Sequence, residues 1–276
     1  MAHITRAVPQ EGVCAMAIQN NEVVNPQVLE LRELLDHAHS AVFFGGAGVS
    51  TESGIPDFRS SNGLYHTQSG VGYAPEEVVS HSFFVAHPQE FWTFYRTRMI
   101  FADAQPNACH RKLAELEASG HLAAVVTQNI DGLHQAAGSK RVLELHGSVH
   151  RNHCLSCGKS FDLDHVLELC DAHSSQSGKQ PKVNIPYCPE CGGVIKPDVV
   201  LYEEPLDEAT IEAAIKVISR ADVLVIAGTS LAVWPAAGFI DYFNGDKLVV
   251  ANMSSTHADA RADLVIRDPV GQVFNW

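Results

Sequence analysis

Val42-Phe43-Phe44-Gly45-Gly46-Ala47-Gly48-Val49-Ser50-Thr51-Glu52-Ser53-Gly54-Ile55-Pro56-Asp57-Phe58-Arg59 is the stretch that decides the fold of this chain. It begins as a wholly apolar strand, Ala41 to Phe44, and then breaks into glycines. A strand passing through a glycine turn into a helix brings backbone N–H groups and a positive dipole end close to a phosphate. Gly46-Ala47-Gly48 alone is weak, since any tight βα turn can carry it. The continuation Gly54-Ile55-Pro56-Asp57-Phe58-Arg59 is less ordinary. It puts an acid, an aromatic and an arginine beside whatever the turn holds, although a plain surface turn would also accommodate them.

Outward from this stretch the chain alternates strands and helices. A helix is expected from Pro26, where Val28, Leu29, Leu31, Leu34 and Leu35 recur at helical spacing. Short helices are expected near Glu76 to Phe84, then a helical stretch Phe91 to Phe101 and a helix Asn107 to Ser119. Strands are expected at Leu122 to Thr127, Val142 to Leu145, Asp198 to Leu201, Val223 to Ala227, Leu248 to Ala251 and Leu264 to Ile266, with a helix over Leu206 to Arg220. Apolar strands alternating with helices imply a parallel sheet covered on both faces. Residues 1–24 read as irregular and Asp171 to Lys182 as a polar excursion.

The expected fold class is therefore α/β: a Rossmann-like, doubly wound parallel sheet with a smaller discontinuous zinc-binding and helical domain. Its expected boundaries are 1–61, 105–150 and 195–276 for the Rossmann-like part, 62–104 for a cofactor loop and helical module, and 151–194 for the zinc module. Gly45 to Ser50, Gln128 to Asp131, His146, Gly228 to Ser230 and Asn252 all follow the carboxyl ends of expected strands. That is the ligand edge of an open α/β sheet. Taken singly, Asn129 and Asp131 are also suited to cap a helix near Gly132, and His146 to be a satisfied core histidine. Together, a neutral imidazole on this edge can accept a proton from a ribose hydroxyl at neutral pH.

Cys154-Leu155-Ser156-Cys157 and Cys188-Pro189-Glu190-Cys191 supply four thiolates in two turns, the donor set of a closed Cys₄ zinc site. Redox pairs are the competing reading. His150 and His153 are not needed as ligands once four cysteines are present. A filled Cys₄ site has no open position, so this Zn2+, one per chain, is expected to be structural.

The chain has 276 residues and a formal net charge of −13. That balance disfavours nonspecific nucleic-acid binding and anionic membranes. No apolar run reaches the ~20 residues of a membrane span, and Met1 to Gln19 lacks a signal-peptide pattern. The odd count of 7 cysteines points to thiols and metal rather than a disulfide frame. The expectation is a cytoplasmic monomer that binds neither nucleic acid nor membrane.

In order, Gly46-Ala47-Gly48-x-Ser50-x-x-x-Gly54-Ile55-Pro56-Asp57-Phe58-Arg59, Thr127-Gln128-Asn129-Ile130-Asp131, Leu145-His146-Gly147, the paired Cys-x-x-Cys knuckles and Gly228-Thr229-Ser230 resemble the sirtuins, NAD-dependent protein deacylases, in their bacterial-type single-domain form. The resemblance runs from about residue 27 to the end. It implies that Ala47, Gly48 and Thr51 lie along the NAD diphosphate and ribose. Phe58 would shield the reactive side of the ribose and Arg59 would order the cofactor loop. Gln128 and Asn129 would hold the ribose hydroxyls, and Ile130 and Asp131 the nicotinamide carboxamide. Gly228, Thr229, Ser230, Asn252 and Val270 would face the adenosine half. His146 would be the general base, with Asn129 as the second catalytic residue.

An acylated protein lysine, the implied partner, would lie as a strand between Val199, Val200, Leu201 and Tyr202 on one side and the loop carrying Val233 on the other. The implied products are nicotinamide, O-acyl-ADP-ribose and free lysine. Deacetylation is the expected reaction. Tyr95 and Arg98, at helical i, i+3 spacing, raise removal of succinyl or malonyl groups as an alternative, with Val79 where such enzymes usually carry alanine. Where the family often has Phe-Gly-Glu, this chain has Tyr202-Glu203-Glu204. The added side chain falls at the expected peptide groove, and its charge would favour basic residues beside the lysine. Mono-ADP-ribosyl transfer and non-catalytic NAD sensing compete with deacylation as functions of the same motifs. A simple dehydrogenase fits less well, because the acid expected about 20 residues on, to hold the adenosine ribose, is missing.

Overall fold

The computed structural model describes residues 25–61, 63–67, 69–171 and 183–276. The expected irregular start and the polar run beyond Asp171 lie outside the described residues.

Helix α1 (Pro26–His37) is capped by the Asn25 side chain, which accepts from the Gln27 N–H, with Pro26 at the first helical position. Strand β1 (Ala41–Gly45) is buried along its whole length. Then come α2 (Pro75–Val78), α3 (His81–Ala86), α4 (Pro88–Phe94) and a π-helical turn, Tyr95–Met99. Helix α5 (Ala108–Ala118), β2 (Leu122–Thr127), α6 (Leu133–Ala137) and β3 (Val142–Glu144) follow. The chain continues through β4 (Gly147–Cys154), β5 (Ser160–Asp162), α7 (Leu163–Asp171) and β6 (Ile195–Val199). It ends with α8 (Glu208–Ile218), β7 (Val223–Ala227), β8 (Lys247–Ala251), β9 (Leu264–Ile266) and α9 (Val270–Val273).

Six strands form a parallel sheet in the order β3-β2-β1-β7-β8-β9. Numbered among themselves these strands run 3-2-1-4-5-6, the Rossmann order, with the topological switch point between β1 and β7. Alternation sorts their side chains onto two faces. Phe43, Val225 and Val249 pack with α1, α5 and α9, while Phe44, Ile226 and Val250 pack with α8 and residues 236–243. Phe43 and Phe44 are fully buried, each contributing roughly 1.5–3 kcal/mol of transfer free energy. Covering both faces fixes the sheet and leaves its carboxyl edge as the open rim.

A three-stranded antiparallel sheet, β5-β4-β6, forms the smaller part. It shares one core with α2, α3, α4 and α7, including Phe84, Phe91, Trp92, Val166 and Ile195. The strand expected at Asp198 to Leu201 in the parallel sheet is instead Ile195–Val199, antiparallel to β4. Pro197, a residue that argues against a strand, sits opposite Asn152 at a shift in register on the edge of this sheet, where a missing N–H costs no ladder bond. The turn after β1 also differs from expectation. No α-helix follows it. Two 3₁₀ turns, Ala47–Val49 and Thr51–Ser53, take its place, and Gly54 at φ 85° ends them. Glycines at 46, 48 and 54, and Pro56 restricting Ile55, leave too few helix-competent residues for a longer helix.

Candidate active site

The loops after β1 and β7 interlock at the switch point. The Gly46 N–H donates to the Ala227 carbonyl at 3.1 Å and the Gly48 N–H to the Gly228 carbonyl at 2.8 Å. A Cβ on Gly48 would lie 2.8 Å from the Gly228 Cα, and one on Gly228, whose φ is 58°, would lie 2.5 Å from the Val49 nitrogen. These glycines therefore permit backbone to touch backbone, in addition to any approach to a phosphate. Thr229 joins the contact from its side chain, accepting from Gln128 Nε2 at 3.0 Å and from the Leu231 N–H at 3.1 Å. The Asn252 amide donates to the Ser254 carbonyl at the end of β8. Ala47 is half-buried, whereas Thr51 and Ser230 are exposed. Val270 lies in the core beneath this rim, 4% exposed.

Ser50 sits at the centre of the site. Its hydroxyl donates to Asp131 Oδ2 at 2.7 Å and accepts from Asn129 Nδ2 at 3.0 Å. The other carboxylate oxygen of Asp131 accepts the Leu133 N–H at 2.9 Å, meeting the first free N–H of α6 from one residue before its N-cap, Gly132. Burial raises the Asp131 carboxyl above its ordinary range, against the lowering pull of Leu133 and Ser50. Ser50 belongs to the glycine-loop motif, but nothing in the sequence signals its own role; its partner lies 81 residues away.

His146 follows β3 at the same rim, with Nδ1 2.9 Å from the Gln128 carbonyl oxygen. A carbonyl only accepts, so Nδ1 carries the proton and Nε2 holds the lone pair. Burial lowers the imidazole below 6.5, and the Gln128 contact partly opposes this. The side chain is a neutral base at pH 7.

Asp57, Phe58 and Arg59 form a tight loop. Asp57 Oδ1 accepts the Arg59 and Ser60 N–H groups. Phe58 meets Tyr65 edge-on at 5.4 Å, and the exposed Arg59 guanidinium lies 5.5 Å from the same ring.

On the other side of His146, the Val200 N–H donates to the His146 carbonyl at 3.0 Å. Leu201 is buried and Tyr202 exposed, its hydroxyl 2.9 Å from that of Tyr65. Val233 is half-buried in its loop. Glu203 adopts φ 77°, and its carboxylate accepts the Ser82 N–H and hydroxyl. The charge expected to face a basic peptide residue is thus engaged with α3. Glu204 ties down the segment by accepting from the buried Lys196 ammonium at 3.0 Å and the Leu201 N–H at 2.9 Å.

Tyr95 and Arg98 fall in a π-helical turn, which winds more residues per turn than the α-helix assumed by an i, i+3 spacing. Tyr95 is fully buried, stacked on Phe91 at 5.4 Å, and its hydroxyl has no hydrogen-bond partner among the described residues. Arg98 is exposed. Val79 is buried in the same core as Tyr95.

The four cysteine sulfurs converge. All lie within 4.8 Å of one another, with Cys154 to Cys191 at 3.4 Å and Cys157 to Cys188 at 3.8 Å. A tetrahedron of Zn–S bonds of about 2.3 Å has edges of ~3.8 Å, so the donor set fits zinc.

The Sir2 family model matches residues 46–235. An NAD-dependent protein deacetylase of Clostridium acetobutylicum is 55% identical over 90% of this chain and 96% of its own length. That of Clostridium perfringens is 52% identical over 91% of this chain and 98% of its own. Among solved structures, a Sir2 variant with deacetylated p53 peptide and 3′-O-acetyl-ADP-ribose has a TM-score of 0.79 and 37% identity, covering 90% of this chain and 95% of that one. A Sir2–p53 peptide–NAD+ structure has a TM-score of 0.76 and 37% identity, covering 89% and 94%. With a family model spanning most of the chain and relatives matched nearly end to end, this chain belongs to the Sir2 family.

Proposed function

We propose that the chain is an NAD-dependent protein-lysine deacetylase that releases nicotinamide, O-acetyl-ADP-ribose and free lysine. The observation that carries this reading is the orientation of His146. Its Nδ1–H is committed to the Gln128 carbonyl, which leaves Nε2 to take a proton at the rim where Gln128, Asn129 and Asp131 gather. NAD, when bound, supplies an electrophilic ribose carbon with a cationic leaving group, so no side-chain nucleophile is required.

The chain's own residues divide the remaining work. Ala47, Gly48 and Thr51, with Gly228, Thr229, Ser230, Asn252 and Val270, hold the dinucleotide at the switch point. Phe58 and Arg59 cover its ribose. Asn129 and Gln128 orient the ribose hydroxyls, while Ile130 and Asp131 take the carboxamide. Ser50 keeps Asn129 and Asp131 in register through the two hydrogen bonds it makes. Val199 to Tyr202 and the loop at Val233 receive the peptide as an added strand. Cys154, Cys157, Cys188 and Cys191 hold structural zinc, away from the chemistry.

A neutral acyl group is favoured over succinyl or malonyl, because Tyr95 is sealed in the aromatic core while Arg98 is exposed. None of the six described cysteines is in a disulfide, which suits a reducing compartment, and we place the protein in the cytoplasm. Among the described residues no helix is long and apolar enough to cross a membrane.

The test is mass spectrometry of products from NAD and one peptide carrying acetyl- or succinyl-lysine. Acetyl-dependent nicotinamide release with an O-acetyl-ADP-ribose product is expected. Release without the acyl peptide, with ADP-ribose attached to protein, would replace this reading by ADP-ribosyl transfer. No release at all would leave a sensor.

A further inference from the structure

Strand β4 is bulged where it passes the active site. Its pairing with β6 runs from Ser148 opposite Asp198 directly to Asn152 opposite Pro197. Val149 and His150 are thereby released from pairing, whereas Arg151 stays opposite Asp162 of β5, and bulges of this kind re-aim side chains. The freed residues turn to the segment after β2. The Val149 N–H donates to the Ile130 carbonyl at 3.0 Å, and His150 Nε2 lies 3.0 Å from the Asp131 carbonyl oxygen. A carbonyl partner makes Nε2 the protonated nitrogen. The ring also covers Gly132: a Cβ there, at φ 73°, would lie 2.7 Å from two atoms of the imidazole. The His150 N–H is itself anchored by the Ser148 hydroxyl at 3.2 Å.

From this geometry we infer that His150 is a positioning residue for the Ile130–Gly132 turn, holding it in the conformation that receives the nicotinamide end of NAD. This rests on the function proposed above. His150 touches no reacting atom. It acts through the Asp131 carbonyl and the Gly132 backbone, coupling the small antiparallel sheet to the carboxyl edge of the large one. With four cysteines filling the zinc site, its imidazole is free for this task.

The experiment compares the full-length, zinc-replete protein with His150→Ala, His150→Phe and His150→Gln. Phe keeps a ring without the donor; Gln keeps an N–H donor without the ring. Loss of one hydrogen bond predicts a rise of ~5-fold in the KM for NAD and in the nicotinamide concentration giving half inhibition. That rise is expected in Ala and Phe, with partial recovery in Gln and an unchanged peptide KM. Deuterium exchange across residues 130–134 should quicken in Ala and Phe and stay near the parent rate in Gln. If Ala melts early, the Phe and Gln pair decides. Parent-like exchange and NAD KM in Phe would overturn the inference, as would a peptide KM rising in step with that for NAD. A parent protein that cleaves no NAD would instead overturn the proposed function, and the exchange measurement would still judge His150.

Discussion

The imidazole of His146 is locked to the main chain of Gln128, its Nδ1 standing 2.9 Å from that residue's carbonyl oxygen. The contact joins the end of β3 to the end of β2, fixes the tautomer and directs the lone pair of Nε2 to the rim. Burial disfavours the imidazolium and lowers the pKa below 6.5. Protonation removes the base, so activity is lost as pH falls through that lowered value. The acid limb of kcat/KM should therefore have its midpoint below pH 6.5. His146→Ala should cost 10²–10⁴-fold in turnover, the usual range for a general base, with melting temperature and zinc content unchanged. A midpoint above 6.5, or turnover retained in the variant, would remove the assignment.

Contact between Gly48 and Gly228 makes a second prediction. Gly228→Ala must place a methyl group 2.5 Å from the Val49 nitrogen while holding φ at 58°. The strain is on the order of 1–3 kcal/mol, and relief comes only by parting the two loops. The KM for NAD should rise by roughly 5- to 150-fold, since 1.4 kcal/mol is a factor of ten, while the zinc content stays at one per chain. An NAD titration of the variant that matches the parent would show that the interlock does not shape the site.

Much of this edge was legible in the sequence, and the reason is local. Apolar runs such as Val223 to Ala227 announce buried parallel strands, and whatever follows them falls on the ligand edge. The smaller sheet was not legible. Ser148-Val149-His150-Arg151-Asn152-His153 shows neither a period of two nor an apolar run, because its bulge breaks the alternation and the cysteine cluster holds its end. Ser50 and Asp131 illustrate a different limit. Each has the character of a turn or capping residue, and only the sheet order carries them across 81 residues of sequence into hydrogen-bond contact. Tyr95 and Arg98 show a third limit, since the i, i+3 rule assumes an α-helix and the chain forms a π turn there.

Zinc removal should act on stability first. The four sulfurs close the end of β4 and the segment entering β6, and Cys154 and Cys188 are themselves part of the shared core with α4 and α7. Loss of a structural metal belongs with the large destabilisations, several kcal/mol. At roughly 2–4 °C per kcal/mol for a chain of this size, the melting temperature should fall by ~10 °C on chelation or in Cys188→Ser. Activity should decline in parallel with folded protein. Full activity in metal-free, fully folded protein would contradict a structural role.

A buried histidine pair should make the fold sensitive to acid. His110 on α5 and His134 on α6 lie with ring centroids 4.7 Å apart, and His134 also meets Phe43. The His110 Nδ1 accepts the Asn107 N–H, whereas its Nε2 and both His134 nitrogens have no partner among the described residues. Burial, with Arg111 nearby, lowers His110 to about 4; burial, with His110 nearby, lowers His134 to about 3. In the unfolded chain both titrate near 6.5. Below that pH the unfolded state binds up to two protons that the native state refuses, so stability falls as pH drops from 6.5 and levels off only below about 3. Each histidine adds a slope of up to ~1.4 kcal/mol per pH unit. Asp131 works in the opposite sense, since a carboxyl raised by burial favours the native state as pH falls. Comparing parent with His134→Leu cancels that contribution. Urea melts at pH 7.5, 6.0 and 5.0 should show the variant losing stability less steeply than the parent; equal slopes would mean that this pair does not govern acid unfolding.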